Sequence, residues 1–278
     1  MPVVENTSHG VAATGIIARM QFDVRAADLG ALNSMTKYPS IPTYHTLESK
    51  NGGLIDGETV EFAATVLGTE KVDGTNARII SLPDGTFLLG SREELLYAKG
   101  DLIGNPAQGI VAALRAVADT LAPVENDVVR VHFLEVYGGK VTAASKQYTG
   151  DKVVGFRLFD VAEMPAYRDI LAKDPRQIAS WRDDGGQPYL DEDALADTAA
   201  RDGFELTPRL FEISGAELPT DLVKMRAFLG EHLPETLSAL DESAGGEPEG
   251  IVLRTKDRSV IAKARFQDYD RTLRRRSR

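Results

Sequence analysis

Residues 76 to 91, NARIISLPDGTFLLGS, contain two strand-like stretches separated only by Pro83, Asp84 and Gly85. Three residues of that chemistry reverse a chain but cannot carry a crossover, so the stretches are predicted to pair as an antiparallel hairpin. Other segments extend the pattern. TVEFAATVLG (59–68) alternates like a strand, which places Lys71 in a loop between strands, and DVVRVHFLEVYGG (127–139) and VVGFRLFDV (153–161) follow. Two short strands, EGIVLRT and SVIAKARF, return near the end of the chain. Between about 163 and 245 the sequence instead turns polar and helix-rich. Asp191, and Thr220 or Asp221, are predicted N-caps there, with Gly203 and Gly230 as stops. Asn105, with Pro106 behind it, is predicted to cap an earlier helix whose apolar face is Ile110, Leu114, Val117 and Leu121. The expectation is an α+β chain of antiparallel sheets with flanking helices and a helical insert. Residues 1–36 read as an N-terminal extension, 37–266 as the domain, and 267–278 as a basic tail.

Composition narrows the chemistry. The chain has no cysteine, which excludes disulfides, thiolate metal sites and cysteine nucleophiles, and its four histidines are scattered. Any metal would be a hard cation held by carboxylates. No apolar run is long enough to span a bilayer and the N-terminus lacks the features of a signal peptide, so a cytoplasmic protein is expected. A net charge of −10 argues against a polyanionic partner, but the total hides a partition. From Ile251 onward ten Lys/Arg face three Asp/Glu, whereas residues 160–249 hold 21 acidic and eight basic residues. A positive face for a nucleic acid therefore remains available.

Strand parity marks the candidate functional residues. Val129, Val131, Phe133 and Glu135 fall on one face of their strand, so a carboxylate ends an apolar face, either in water at a strand end or at a ligand. Ile261, Lys263 and Arg265 likewise share a face, either exposed or directed together at an anion. Lys71 lies in TEKVDGTNARII (69–80), two residues ahead of an Asp-Gly pair. Asp73 serves there either a local turn or a ligand.

Taken in order, EKVDGTN, FLEVYGG, FRLFDV, EGIVL and AKARF resemble the nucleotidyltransferase motifs shared by polynucleotide ligases and messenger-RNA capping enzymes, over roughly residues 37–266. Within that superfamily TEKVDGTN, with YPSIP upstream, is most similar to the ATP-dependent RNA ligases of the nick-sealing class. DNA ligases and capping enzymes usually place arginine where this chain has Asn76, although Arg78 stands two residues further on. The resemblance implies an ATP-grasp-like ligase adenylation core with ATP between its sheets. It also implies Lys71 as a nucleophile that takes AMP from ATP, passes it to an RNA 5′-phosphate and so allows a 3′-hydroxyl to join. An ordinary lysine is only about 0.04% neutral at pH 7, so such a role needs neighbouring positive charge.

Residue by residue, the resemblance gives Lys263 and Arg265 the α-phosphate, and Glu70 and Val72 the placing of adenine. Glu135 would accept from the ribose, Phe159 (or Phe156) would stack on the base, and Glu249, helped by Asp73, would bind Mg²⁺ or Mn²⁺. Asn76 and Arg92 would position the RNA ends. Relatives often have a second lysine where this chain has Arg265, and many carry a further C-terminal domain for which this sequence leaves no room, so a partner protein, the insert or the tail would grip the duplex. The alternatives are a DNA ligase, a GTP-using capping-type enzyme, and a nucleotide- or RNA-binding module without catalysis.

Overall fold

The computed structural model describes residues 22–98, 101–102, 109–124 and 126–277. The first helix, α1 (Leu29–Thr36), is capped by Asp28, whose carboxylate accepts from the amides of Gly30 and Ala31. There follow β1 (His45–Leu47), β2 (Leu54–Thr59), β3 (Thr65–Lys71), β4 (Thr75–Ser81), β5 (Phe87–Ser91), β6 (Leu95–Ala98) and β7 (Asp101–Leu102). After α2 (Ile110–Ala118) come the long strands β8 (Val129–Gly138) and β9 (Val154–Met164). The helix-rich segment holds α3 (Tyr167–Leu171), α4 (Pro175–Asp183), α5 (Glu192–Asp202), β10 (Arg209–Ser214) and α6 (Leu222–His232). β11 (Gly250–Thr255), β12 (Ile261–Arg265) and α7 (Phe266–Arg276) complete the described chain.

Every pairing between these strands is antiparallel. One sheet runs β7-β6-β5-β4-β8-β9, a second β10-β3-β11-β12, and β1-β2 form a small ribbon. The hairpin of residues 76–91 is present as β4-β5, with Gly85 at φ +79° where a side chain would be strained. The larger sheet is covered on both faces. Val131 and Phe133 pack with α1, α3 and α4, whereas Leu134 and Val136 pack with α2 and α5. The smaller sheet turns Val66, Ile251, Leu253, Ala262 and Ala264 toward α6 and α7. None of the described helices is long and apolar enough to cross a membrane.

Several expectations need correction. Residues 60–64 break the predicted strand 59–68, and Lys71 is the last residue of β3 rather than part of a loop. The expected extension to residue 36 includes α1, whose Leu32 and Met35 are fully buried in the core. Its first 21 residues, and the predicted cap at Asn105 and Pro106, lie outside the described residues. The basic tail is the helix α7, held by buried Tyr269 and Thr272. Asp191 and Asp221 do cap α5 and α6, but α6 runs through Gly230 to His232. The insert is also not purely helical, because β10 within it is the edge strand beside β3.

A buried ionic cluster joins the two sheets. Asp160, on β9, accepts from Tyr38 Oη at 2.9 Å and from Arg258 Nε at 2.7 Å, and Arg254 of β11 stands 3.6 Å away. Arg254 also pairs with Glu192 at the start of α5. Burying such a pair contributes little net stability, but removing one member strands the other charge at a cost of about 3–5 kcal/mol. Arg258→Met is therefore expected to destabilise the fold by that amount in urea, measured against wild type by circular dichroism. A change below about 0.5 kcal/mol would show that Asp160 does not depend on Arg258.

Candidate active site

A cavity of about 390 Å³ opens between the two large sheets. One wall is built by alternation on the smaller sheet, where Thr69 and Lys71 of β3, Val252 and Arg254 of β11, and Ile261, Lys263 and Arg265 of β12 all border it. Gly250 pairs with Lys71 on one side and with Arg265 on the other, so one residue without a side chain separates the two cations. A Cβ on Gly250 would lie 2.2 Å from the carbonyl oxygen of Ala264, which makes glycine obligatory there. The predicted common face of Ile261, Lys263 and Arg265 is present. Lys263 is fixed from the other side by the end of YPSIP and the residues after it, because its N–H donates to Pro42 O and its carbonyl accepts from Tyr44 N–H.

The opposite wall belongs to the larger sheet. Asn76 on β4 and Glu135 on β8 are register partners, and both border the cavity with Phe159. Phe159 reaches it through a β-bulge: Leu134 pairs with Leu158 and Phe133 with Asp160, leaving Phe159 as the extra residue. The ring then packs edge-on against Tyr38 and stacked on Phe133. Phe156, the other aromatic candidate, packs against Phe204 instead.

The loop after Lys71 is pressed onto this wall. Gly74 donates its N–H to Glu135 Oε1 at 3.1 Å, and a Cβ there would meet Val136 O at 2.3 Å. Asp73 donates its N–H to Tyr148 Oη at 2.6 Å and borders the cavity.

The charges are arranged around Lys71. Its Nζ donates to Glu249 Oε2 at 2.6 Å, and both side chains are largely sheltered. Burial raises the Glu249 carboxyl, opposed by the nearby Lys71 cation. Glu135 is pushed up to about 7, first by burial and then by Glu249, against the pull of Lys71. Lys263 is lowered by burial and by the positive charges of Arg265, Lys71 and Arg92. Arg265 is held by Asp268 at 2.8 Å, and Arg92, more than half exposed at the mouth, donates to Ser40 Oγ at 2.8 Å.

All the predicted residues thus border one cavity except Phe156, but Glu70 and Val72 do so differently. Strand alternation turns their side chains away from Lys71. The Glu70 carboxylate accepts from Thr236 Oγ1, Leu237 N and Ser238 Oγ, and Val72 packs on Tyr137 and Tyr148. Both residues therefore border the cavity mainly through backbone. Sequence reasoning missed Arg254 and Tyr38. The signal for Arg254 was its parity with Gly250 and Val252 on β11.

A nucleotide fits the donor set. Asn76 Oδ1 is buried without a hydrogen-bond partner among the described residues, an acceptor left for a ligand. No group of three or more His, Asp or Glu among the described residues is placed to hold a metal alone. Glu249 and Asp73 border the cavity together, and two carboxylates completed by phosphate oxygens are the usual setting for Mg²⁺.

Residues 64–266 match the family model described as RNA ligase. No curated protein matches the chain significantly. Among solved structures, an apo RNA ligase variant from Naegleria gruberi aligns with a TM-score of 0.50 and 12% identity, over 87% of this chain and 62% of that one. An archaeal ATP-dependent RNA ligase aligns with a TM-score of 0.49 and 17% identity, over 84% of this chain and 49% of that one. The chain therefore spans less than two thirds of either protein.

Proposed function

Because the chain belongs to the RNA ligase family, we propose that it is an ATP-dependent RNA ligase working through a lysyl-AMP intermediate on Lys71. The observation that carries this reading is the Lys71 amine, held 2.6 Å from Glu249 between Arg265 and the loop that binds Glu135. ATP lies between the sheets, its base between Phe159 and Val252 and its ribose hydroxyls donating to Glu135. Lys263 and Arg265 hold the α-phosphate. Glu249 is the acceptor in contact with the Lys71 proton, and burial brings its proton affinity closer to that of an amine. The neutral Nζ attacks the α-phosphorus, an N–P bond forms, the bond to the β-phosphate oxygen breaks, and pyrophosphate leaves.

In the second step a phosphate oxygen at an RNA 5′ end displaces Lys71 from the AMP, forming a 5′–5′ pyrophosphate. In the third, an RNA 3′-hydroxyl attacks that 5′-phosphate, AMP leaves and the strand is sealed. Asn76 and Arg92 position the two ends. Glu249 and Asp73 would hold a divalent cation, Mg²⁺ or Mn²⁺, which would supply charge neutralisation. A cytoplasmic setting, where ATP and broken RNA meet, suits an RNA-repair role, with a partner protein helping to grip the duplex.

The test is nick sealing on duplexes with RNA or DNA on each side of the break. RNA on the 3′-hydroxyl side is expected to be sealed at least about tenfold faster than DNA, a difference of roughly 1.4 kcal/mol in the barrier. Equal sealing of all-DNA nicks would assign the chain to DNA instead.

A further inference from the structure

Beside the catalytic cavity lies a second recess of about 290 Å³, sharing Tyr38, Pro39 and Arg92 with it. We infer that this recess holds a backbone phosphate of the nucleic-acid strand, and that the Glu93 carboxylate occupies the place of that phosphate until the strand arrives. The inference rests on the ligase reading and adds a site outside the nucleotide pocket.

Three observations support it. The recess is cationic although the chain is acidic overall: Lys37 from the end of α1, Arg92 after β5 and Arg182 from α4 all border it. Glu93 sits among them as a phosphate oxygen would, with Oε2 accepting from Lys37 Nζ at 3.0 Å and Oε1 standing 3.6 Å from Arg92 Nε. Its side chain is 72% exposed, so it can swing out with little lost burial.

The third observation is Arg78 on β4, which is completely buried and whose charge is felt by Glu93 and Arg182. It donates to Asn33 Oδ1, but its Nε and Nη1 meet no acceptor among the described residues. A Cβ on Gly90 would lie 2.6 Å from Arg78 Nε, so the glycine makes room for this guanidinium. A buried cation with one neutral partner is costly as structure alone. As a fixed charge behind a phosphate site it attracts an anion that Glu93 neutralises only in part. Asp183, the other acid at the recess, is exposed and bound to Arg182.

The experiment measures binding of fluorescein-labelled nicked RNA, and of nicked DNA of the same sequence, over a salt series. Glu93→Gln removes the competing carboxylate and is expected to tighten binding about threefold to tenfold, an outcome no purely structural role would give. Lys37→Met is expected to weaken it to a similar degree and to flatten the salt slope by about 0.7–0.9, the loss of one phosphate contact. Arg78→Met should also weaken binding while leaving thermal stability equal or higher, since it replaces an unpaired buried charge. Unchanged affinity and slope in Glu93→Gln and Lys37→Met would overturn the inference. If only nicked DNA is bound and shows this pattern, the recess stands and the RNA reading falls. If neither polymer is bound, both fall.

Discussion

Incubated with ATP labelled on the α-phosphate and Mg²⁺ or Mn²⁺, without nucleic acid, the wild-type chain is expected to take up acid-labile label that pyrophosphate removes. Lys71→Ala should take up less than about one thousandth as much, equivalent to roughly 4 kcal/mol or more of lost transition-state stabilisation. Among the described residues no other amine is held against Glu249 as Lys71 is. Among the described residues Glu249 is the side chain in hydrogen-bond contact with its amine and is itself an acceptor, while Lys263 is tied through its backbone to Pro42 and Tyr44 on the far side of β11. Lys263→Met should slow labelling, because it removes one of the two cations proposed to hold the α-phosphate. Label on the Lys71→Ala chain would relocate the nucleophile. No label on folded wild type would point to GTP or to a binding module.

Glu135→Gln is expected to stabilise the fold and to impair the site. The Glu135 carboxyl titrates at about 7 in the folded chain because burial disfavours its charge, against an ordinary value of 4.5. A carboxyl raised on folding makes its contribution in full below the ordinary value, and loses it as pH climbs through the folded value. At pH 8 the wild type therefore carries a penalty of about 3 kcal/mol that the amide avoids. The variant should melt roughly 5 °C above wild type at pH 8, with the difference closing toward pH 4. The side-chain carbonyl of the substituted glutamine can still accept from the Gly74 N–H, so the loop after Lys71 stays in place. Nucleotide affinity should fall about tenfold, since the charged acceptor proposed for the ribose hydroxyls becomes a neutral one. In the wild type affinity should also weaken as pH drops from 8 to 6, and this dependence should flatten in the variant. Isothermal titration at three pH values checks the affinities and thermal melts at pH 8 and pH 4 the stability. A variant no more stable than wild type at pH 8 would show that Glu135 is not desolvated.

Part of the site was legible because a strand has a period of two, while Lys71, Glu249, Asn76, Arg92 and Phe159 were marked by the motif resemblance. That period alone put Glu135 on the face of Val131 and Phe133, and Lys263 with Arg265, and the folded chain keeps both groupings. The same rule read one strand further would have turned Glu70 and Val72 away from Lys71, and would have shown Arg254 beside Val252. What parity cannot reveal is pairing between distant segments. The edge strand β10 is short and sits within a polar, helix-rich stretch, and its place beside β3 depends on partners more than a hundred residues away. The Tyr38–Asp160–Arg258 cluster joins three segments in the same way, and its residues look like surface charges until they meet. α7 was obscured differently, because its arginines suggest a frayed end whereas Tyr269 and Thr272 fasten one face of the helix.

The bulge at Phe159 has a consequence for how such a chain can change by descent. Leu158 and Asp160 would alternate normally without the residue between them, and their partners Leu134 and Phe133 are already consecutive. Loss of the single codon for Phe159 would thus straighten β9 and leave its pairings with β8 in register. It would remove the aromatic ring, leaving a void beside Tyr38 and Phe133. Losing one codon from almost any other point of a paired strand would throw its remaining length out of phase. A lineage could therefore shed the ring proposed to stack on the base in one genetic event and keep the sheet, an inheritable route to a folded descendant with an altered cavity.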